Sequence, residues 1–473
     1  MKHLVVCTDG TWNRSEMEVE GKRGVLTSTN VSKIASIVSP EGSGGVPQLV
    51  FYLEGVGSRR EEAISGGAFG WGLSRNVLQA YDFLCRNFEP GDRIFLFGFS
   101  RGAFTARSIV GLVHNSGVVR NAEDIPAAFA LYRDKSDSTK PDSVKSRVFR
   151  AQHSYEPEVE FLGIWDTVGT IGIPGLRGAF AKLLGWDWKF HDVTARAVRR
   201  ISHALAIHER RCQFLPTPVQ VGSSNPCVVT EQWFAGVHSD VGGGYLENGL
   251  SNITLDWMVG QAEDAGLAFD AGWRDSLPIA GDADPRKLPE ANSAALDSLC
   301  TNAFRRHESW AGFYRLYDFF ARPLPDGVRD AGVLHPSVER IAMIFPRMSV
   351  EANQPWTRWD GTIVKGRTYK LEIKVKQELK DASIPVGDPT AGIPEDQTVF
   401  LQRILRRFRR VKDRNYMQLI ASINRRRDLT YCVDSNPFSL TADATGTLEF
   451  FFNDVWGFYS NNSGQIEIAI TPV

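Results

Sequence analysis

Short apolar runs, each closed by a polar turn and followed by a helix-spaced stretch, set the rhythm of the first part of the chain. Leu4–Thr8 stops at Asp9-Gly10-Thr11-Trp12-Asn13, and Gln48–Leu53 closes at Glu54-Gly55-Val56-Gly57. Val77, Leu78, Tyr81, Leu84 and Cys85 fall on one face at helical spacing, which predicts a helix over Gly72–Asn87. Pro90-Gly91-Asp92 turns the chain into the continuous run Ile94-Phe95-Leu96-Phe97, and this leads through Gly98 into a helical stretch from Arg101 to His114. Continuous apolar strands alternating with helices predict a mostly parallel sheet covered on both faces. Val159–Trp165, ending at Asp166, and Trp233–Val237, ending at His238, extend it. Helical insertions are expected over 119–155, 175–215 and 250–320, forming a cap.

Around Pro346–Pro355 the period changes from helical to two. Tyr369, Leu371, Ile373 and Val375 alternate with charged residues, as do Leu448, Phe450 and Phe452 and then Ile466, Ile468 and Ile470 with their neighbours. Half-buried antiparallel strands follow from that alternation. The expected architecture is therefore an α/β unit with a mostly parallel sheet over 1–345 and an antiparallel β-sandwich over 350–473. Within the second region Phe400, Leu401, Ile404, Leu405, Phe408 and Val411 form a helical stripe. Arg403, Arg406, Arg407, Arg409, Arg410, Lys412 and Arg414 fill much of the rest. Such a basic amphipathic segment suits an anionic membrane surface, or packs its stripe on the neighbouring unit.

Composition narrows the picture. A chain of 473 residues exceeds one ordinary core. A formal net charge of −1 gives no global attraction to nucleic acid, and no nucleic-acid partner is expected. Cys7, Cys85, Cys212, Cys227, Cys300 and Cys432 form no Cys-x-x-Cys pair, and Cys7 and Cys85 read as buried thiols. The opening apolar run is too short for a signal-peptide core, and no apolar stretch is long enough to span a membrane. The expectation is cytoplasmic synthesis, with any export by a signal-independent route.

Gly98-Phe99-Ser100-Arg101-Gly102 gains meaning from its setting between a buried strand and a helix. A nucleophilic serine at a sharp strand-to-helix turn needs small neighbours on both sides. Such a serine needs a base, and the base needs an orienting acid. Asp166 and His238 follow Ser100 in the order acid, then histidine, each at the end of a strand. Separately, Asp166 reads as a turn cap and His238 as a core histidine; together with Ser100 they read as a triad. His335 is the rival base, whereas His203 reads as a packed residue on a helix. Asp240 is expected to shape the turn with Gly242, Gly243 and Gly244. Oxyanion donors are expected from the backbone of Arg101 and of Gly10 and Thr11.

Four ordered phrases carry a resemblance: Asp9-Gly10-Thr11-Trp12-Asn13, Gly98–Phe104, Trp165-Asp166-Thr167-Val168-Gly169 and Phe234–Tyr245. Over residues 2–345 the chain resembles the α/β-hydrolase family that contains the phospholipase effectors of bacterial type VI secretion systems. That resemblance implies a serine acyl-ester hydrolase, phospholipase A in type, acting on membrane phospholipid. It also implies a secretion-system or immunity partner. His208 departs from the family pattern, which has an acid there. A phosphohydrolase built on Asp9-Gly10-Thr11 would need an aspartate where Cys7 stands, and a metallohydrolase built on His238 and Asp240 lacks a third ligand. A glycan- or membrane-binding protein with an inactive hydrolase fold is the alternative.

The segment Phe452–Gly464 is dense in oxygen ligands, which suits calcium as well as a plain Asn/Gly hairpin. It is similar to the C-terminal loop of the calcium-dependent galactophilic bacterial lectins. That resemblance implies calcium held by the side chains of Asp454, Asn461 and Asn462 and by the carbonyls of Phe458 and Ile384. It implies a glycan partner too, although the histidine and glutamine of the lectin sugar loop have no counterpart here.

Overall fold

The structure is a computed structural model. It describes residues 1–10, 28–55, 66–134, 136–168, 197–219, 226–276 and 345–473, with isolated positions between 304 and 341. The chain divides into two compact units, Met1–Arg286 with Asn302–Arg322, and Pro323–Val473 with Lys287–Thr301.

The first unit is mixed α/β. Its strands are β1 (His3–Thr8), β2 (Glu41–Gly42), β3 (Val46–Leu53), β4 (Arg93–Phe99), β5 (Val159–Trp165), β6 (Val198–Ala206) and β7 (Val228–Phe234). They form one sheet in the order β2-β3-β1-β4-β5-β6-β7, parallel throughout except for the β2–β3 pair. Helices α1 (Asn30–Ile37), α2 (Gly66–Asn87), α3 (Arg101–Ser116), α4 (His238–Gly242) and α5 (Gly249–Glu263) surround it.

Both faces are buried, which is why these strands are apolar without alternation. Leu4, Val6, Ile94, Leu96, Leu162 and Ile164 pack with Val77, Tyr81, Leu84, Ile109 and Val113 of α2 and α3. The intervening Val5, Phe95, Phe97 and Phe161 are buried as well. A Cβ on Gly163 would meet Phe161, Phe97 and Met258 of α5, so that face is filled to contact. Strand order reverses at β1, whose neighbours are β3 and β4. In open parallel sheets that switch point opens a crevice at the carboxyl ends of the strands. Asp9 and Ser100 follow β1 and β4 there.

The expected helical insertion over 175–215 is contradicted where it is described, because Val198–Ala206 is strand β6. His203 lies on β6, between β5 and β7, not on a helix. A strand buried on both faces has no period to distinguish it from a buried helix, and Ser202-His203-Ala204-Leu205-Ala206 offers small residues compatible with either.

The second unit contains two antiparallel sheets. One holds β8 (Arg347–Glu351), β10 (Thr368–Asp381), β11 (Ile384–Val386), β14 (Phe438–Thr441) and β16 (Asn462–Pro472). The other holds β9 (Thr357–Arg358), β12 (Leu419–Ile423), β13 (Thr430–Cys432) and β15 (Leu448–Phe452). Tyr369, Leu371, Ile466, Ile468 and Ile470 are buried, as their alternation predicted. Val375 is exposed where β10 bulges, because the register shifts there. In β15 every residue is buried, Glu449 included, and its carboxylate is met by Arg425 at 2.9 Å. The basic stretch is a shorter helix than its stripe suggested, α6 (Phe400–Leu405), followed by a single 3₁₀ turn at Arg406–Phe408.

Candidate active site

Ser100 stands between β4 and α3 with φ 57° and ψ −119°, a backbone that side chains other than glycine adopt only under strain. Its own N–H donates to Trp165 O at 3.0 Å, tying the turn to the end of β5. The two glycines of the motif are required by contact. A Cβ on Gly98 would lie 2.6 Å from Ala103 Cα, and one on Gly102 would lie 2.1 Å from Thr8 O. The start of α3 therefore rests directly on the end of β1. Ser100 is buried, and the serine opens the first turn of α3, where backbone N–H groups have no intrahelical acceptor.

Phe99 and Trp165 are register partners on β4 and β5, so Ser100 and Asp166 leave adjacent parallel strands at one level. Asp166 also has a positive φ, 40°. His238 opens α4, and its Nδ1–H donates to Asp166 Oδ2 at 2.6 Å. The rings of Phe99 and Phe214 lie 4.6 and 4.9 Å from the imidazole and fix its plane. Acid and histidine are thus paired, and the serine turn adjoins them through Phe99 and Trp165. His335 is held in a local turn instead, its Nδ1 2.8 Å from Ser337 Oγ.

Two buried charges complete this cluster, and neither was singled out from the sequence. Arg322 donates from Nη1 to Asp166 Oδ1 at 2.5 Å and from Nη2 to Oδ2 at 2.8 Å. It also donates to the carbonyls of Ala206 (2.9 Å) and Phe214 (2.5 Å). Burial alone would raise the Asp166 pKa, but Arg322 and the His238 hydrogen bond overcome it and hold the carboxyl well below the usual range. Burial lowers the His238 pKa, and Arg211 adds to this; Asp166 and Glu209 only partly offset it.

Glu209, fully buried after β6, accepts the His238 N–H at 3.1 Å and is clasped by Arg211 through Nε and Nη2, both at 2.8 Å. Burial raises its pKa, and the Arg211 hydrogen bond and charge reverse that to about 2. Glu209 directly follows His208, the position where the sequence departs from the family pattern. His208 itself accepts the Gly236 N–H at 2.8 Å and holds the loop before His238. Asp240 takes the Val237 N–H at 2.9 Å, shaping the turn, and also holds His307 Nδ1 at 2.6 Å.

Gly10, Thr11 and Arg101 are the expected oxyanion donors. Gly10's N–H donates to Asp9 Oδ1 at 2.6 Å, because Asp9 is anchored there by Thr29 and Tyr52 and curls onto the following amide. Thr11 lies outside the described residues. Arg101 sits at the first position of α3.

In the second unit, the oxygen-rich loop is partly assembled. Asn462 Nδ2 donates to Asp454 Oδ2 at 2.9 Å, and Asn461 Nδ2 to Asp381 Oδ1 at 2.7 Å. Asp381 was not among the expected ligands. It ends β10 and pairs with Ile384 across the hairpin, so a carboxylate stands at the position expected of the Ile384 carbonyl strand. Phe458 O accepts the Asn461 N–H at 3.2 Å, which orders the turn. Asn462 Oδ1 is buried without a hydrogen-bond partner. Burial raises both carboxyls, Asp454 to about 6, and Asp381 adds repulsion to Asp454. A desolvated carboxylate pair and an orphaned amide oxygen are the donor chemistry that a hard cation takes. Among the described residues no group of three His, Cys, Asp or Glu is placed to hold a metal, so a cation here would depend on amide and carbonyl oxygens.

The uncharacterized protein YEL023C of Saccharomyces cerevisiae is 28% identical over 239 residues, covering 45% of this chain and 32% of its own length. An uncharacterized protein from Pseudomonas aeruginosa has a similar solved structure at 17% identity and TM-score 0.36, covering 64% of this chain and 56% of that one. The Tle1 effector bound to the VgrG spike matches at 20% identity and TM-score 0.31, covering 52% of this chain and 51% of that one. The N-terminal domain of EclA, a PllA-like lectin, matches at 18% identity and TM-score 0.20, covering 27% of this chain and 95% of that one. The chain spans about a third of its curated relative and about half of the two larger solved chains. The sequence model described as "T6SS, Phospholipase effector Tle1-like, catalytic domain" matches residues 2–261, more than half of the chain. The chain therefore belongs to the Tle1-like phospholipase effectors of type VI secretion, with its catalytic domain in residues 2–261.

Proposed function

We propose that the first unit is a serine-dependent hydrolase of α/β-hydrolase type that cleaves acyl esters of membrane glycerophospholipids. The observation that carries this reading is the His238–Asp166 hydrogen bond at the end of β5, next to a strained serine turn at the end of β4. In the first step Ser100 Oγ attacks the ester carbonyl and passes its proton to His238 Nε2. Asp166 stays ionised and stabilises the imidazolium through Nδ1–H. The Arg101 N–H faces the negative oxygen of the tetrahedral intermediate, at the amino end of α3. His238 then returns the proton to the departing lysolipid alcohol. Water, activated by the same imidazole, releases the fatty acid from Ser100.

A fluorophosphonate should label Ser100, and the label should vanish in Ser100→Ala. Fatty-acid release from phospholipid vesicles should disappear with it. Folded wild-type protein that takes no label would sink the serine mechanism and favour a binding protein with an inactive hydrolase fold. Family membership further supports export by a type VI secretion system, and with it a secretion-system partner. In the second unit, Asp454, Asp381, Asn461 and Asn462 would hold calcium, which would neutralise their buried charge and order the loop.

A further inference from the structure

Helix α6 is built inside out. On a surface helix the apolar stripe normally faces the core. Here the inward position is Gln402, whose amide donates to Asp381 Oδ2 at 2.5 Å and accepts the Val399 N–H at 3.0 Å. The Tyr416 hydroxyl donates to its carbonyl at 2.9 Å. With Gln402 pinned inward, the stripe at positions 400, 401, 404 and 408 turns to solvent. Phe400 is 78% exposed, Leu401 56%, Ile404 51% and Phe408 53%. An antiparallel bridge between Arg409 and Val455 sets Phe408 and Trp456 at facing register positions. Trp456 and Phe458 are exposed too, so the apolar face continues across two segments.

The charges around this face are also sorted. Arg409 is buried, and Arg410 is enclosed, its guanidinium 3.5 Å from the Phe451 ring centroid and 4.1 Å from that of Trp356. These two hold the segment in place. Arg403, Arg406 and Arg407 remain exposed around the stripe, and Lys412 and Arg414 follow beyond it. Between 394 and 415 only Glu395, Asp396 and Asp413 oppose seven basic side chains.

We infer that α6, the turn after it and the Trp456–Phe458 loop form a docking face for an anionic lipid surface. Each part answers one property of a bilayer interface. Exposed Phe, Leu, Ile and Trp enter the acyl boundary, and arginines at the same level meet lipid phosphates. A second copy of the chain would bring like charge against like. The inference deepens the phospholipid reading above and rests on it for the presence of a bilayer, but the contact itself belongs to the second unit.

The test uses the full chain and two variants, Phe400→Ser/Ile404→Ser/Phe408→Ser and Arg403→Gln/Arg406→Gln/Arg407→Gln. Binding is read by co-sedimentation with vesicles of phosphatidylglycerol and phosphatidylcholine, and of phosphatidylcholine alone. Wild type should bind the anionic vesicles, and salt should weaken binding. The arginine variant should lose about fivefold per charge, roughly a hundredfold in all. The apolar variant should lose at least about tenfold. Both should keep the wild-type melting temperature and hydrolysis of a soluble short-chain ester, because every altered side chain is exposed. Wild-type protein that ignores anionic vesicles, or variants that bind like wild type, would overturn the inference. So would a wild-type dimer in solution that the apolar variant loses. Vesicle binding without fluorophosphonate labelling would instead fail the hydrolase reading and leave the docking face standing.

Discussion

Arg322→Met is the sharpest perturbation of the candidate site. Arg322 and Asp166 are both fully buried and share two hydrogen bonds, and Arg322 also satisfies the Ala206 and Phe214 carbonyls. Removing one partner of such a pair leaves a buried, uncompensated carboxylate and costs about 3–5 kcal/mol. At about 1.5–2 °C per kcal/mol for a unit of about 300 residues, the melting temperature should fall by about 5–10 °C. A second consequence is specific to the catalytic role. His238 must be neutral to accept the serine proton, and burial holds its pKa below the ordinary 6.5. Without Arg322 the Asp166 charge acts undivided on the imidazolium and raises that pKa. The acidic limb of kcat/KM on a soluble ester should therefore move to higher pH. Arg322→Lys should show the same direction with smaller loss of stability, since an ammonium keeps the charge but lacks the planar fork. Calorimetry and a pH–rate profile read the two effects separately. A fully active Arg322→Met enzyme with unchanged melting temperature and unchanged acidic limb would refute the reasoning.

Ser100→Gly should abolish hydrolysis yet raise the melting temperature by about 1.5–2 °C, because glycine accepts the backbone that strains serine by about 1 kcal/mol or more; a lower melting temperature would show that the turn is unstrained. His307 has a raised pKa: burial opposes protonation, but Asp240 and Glu247 outweigh it. Its contribution to stability is present in full below the unfolded value of about 6.5 and lost as pH rises through the higher native pKa. His307→Gln should therefore flatten that decline in a series of melting temperatures, and an unaltered slope would count against the His307–Asp240 pair. Calcium at a hundredfold excess over its Kd should stabilise the full chain by about 2.7 kcal/mol. Asp454→Ala should remove that response, and an equal response in the variant would place the ion elsewhere.

Much of the first unit was legible because parallel strands buried on both faces write themselves as continuous apolar runs. β1, β4 and β5 end where a polar residue interrupts such a run, and Asp9, Ser100 and Asp166 are those interruptions. Arg322 was not legible: its partner lies 156 residues earlier, and an ion pair leaves no periodic trace in the sequence. Glu209 left a fainter one, a lone acid among basic residues directly after a buried strand, which burial alone would have forbidden without Arg211. The stripe of α6 was read correctly as amphipathic. Periodicity gives the direction of an apolar face relative to the helix, not relative to the core, and here Gln402 decides the matter through Asp381.

The same asymmetry explains why the site carries more charge than a minimal triad needs. Asp166 could orient His238 with backbone donors alone, and the Ala206 N–H already reaches Oδ1 at 3.0 Å. Replacing the whole Arg322–Asp166 pair with apolar residues would cost little, whereas removing Arg322 alone strands the buried Asp166 charge. What Arg322 changes is how much of the Asp166 charge the imidazolium receives. Burial, and then Arg211, lower the His238 pKa, and Arg322 draws on the Asp166 charge that opposes them. On the proposed mechanism such a site would keep its base neutral at acidities where an ordinary imidazole is already protonated. Arg322 thus holds the buried Asp166 in the fold and, through the same carboxylate, bears on the proposed proton acceptor.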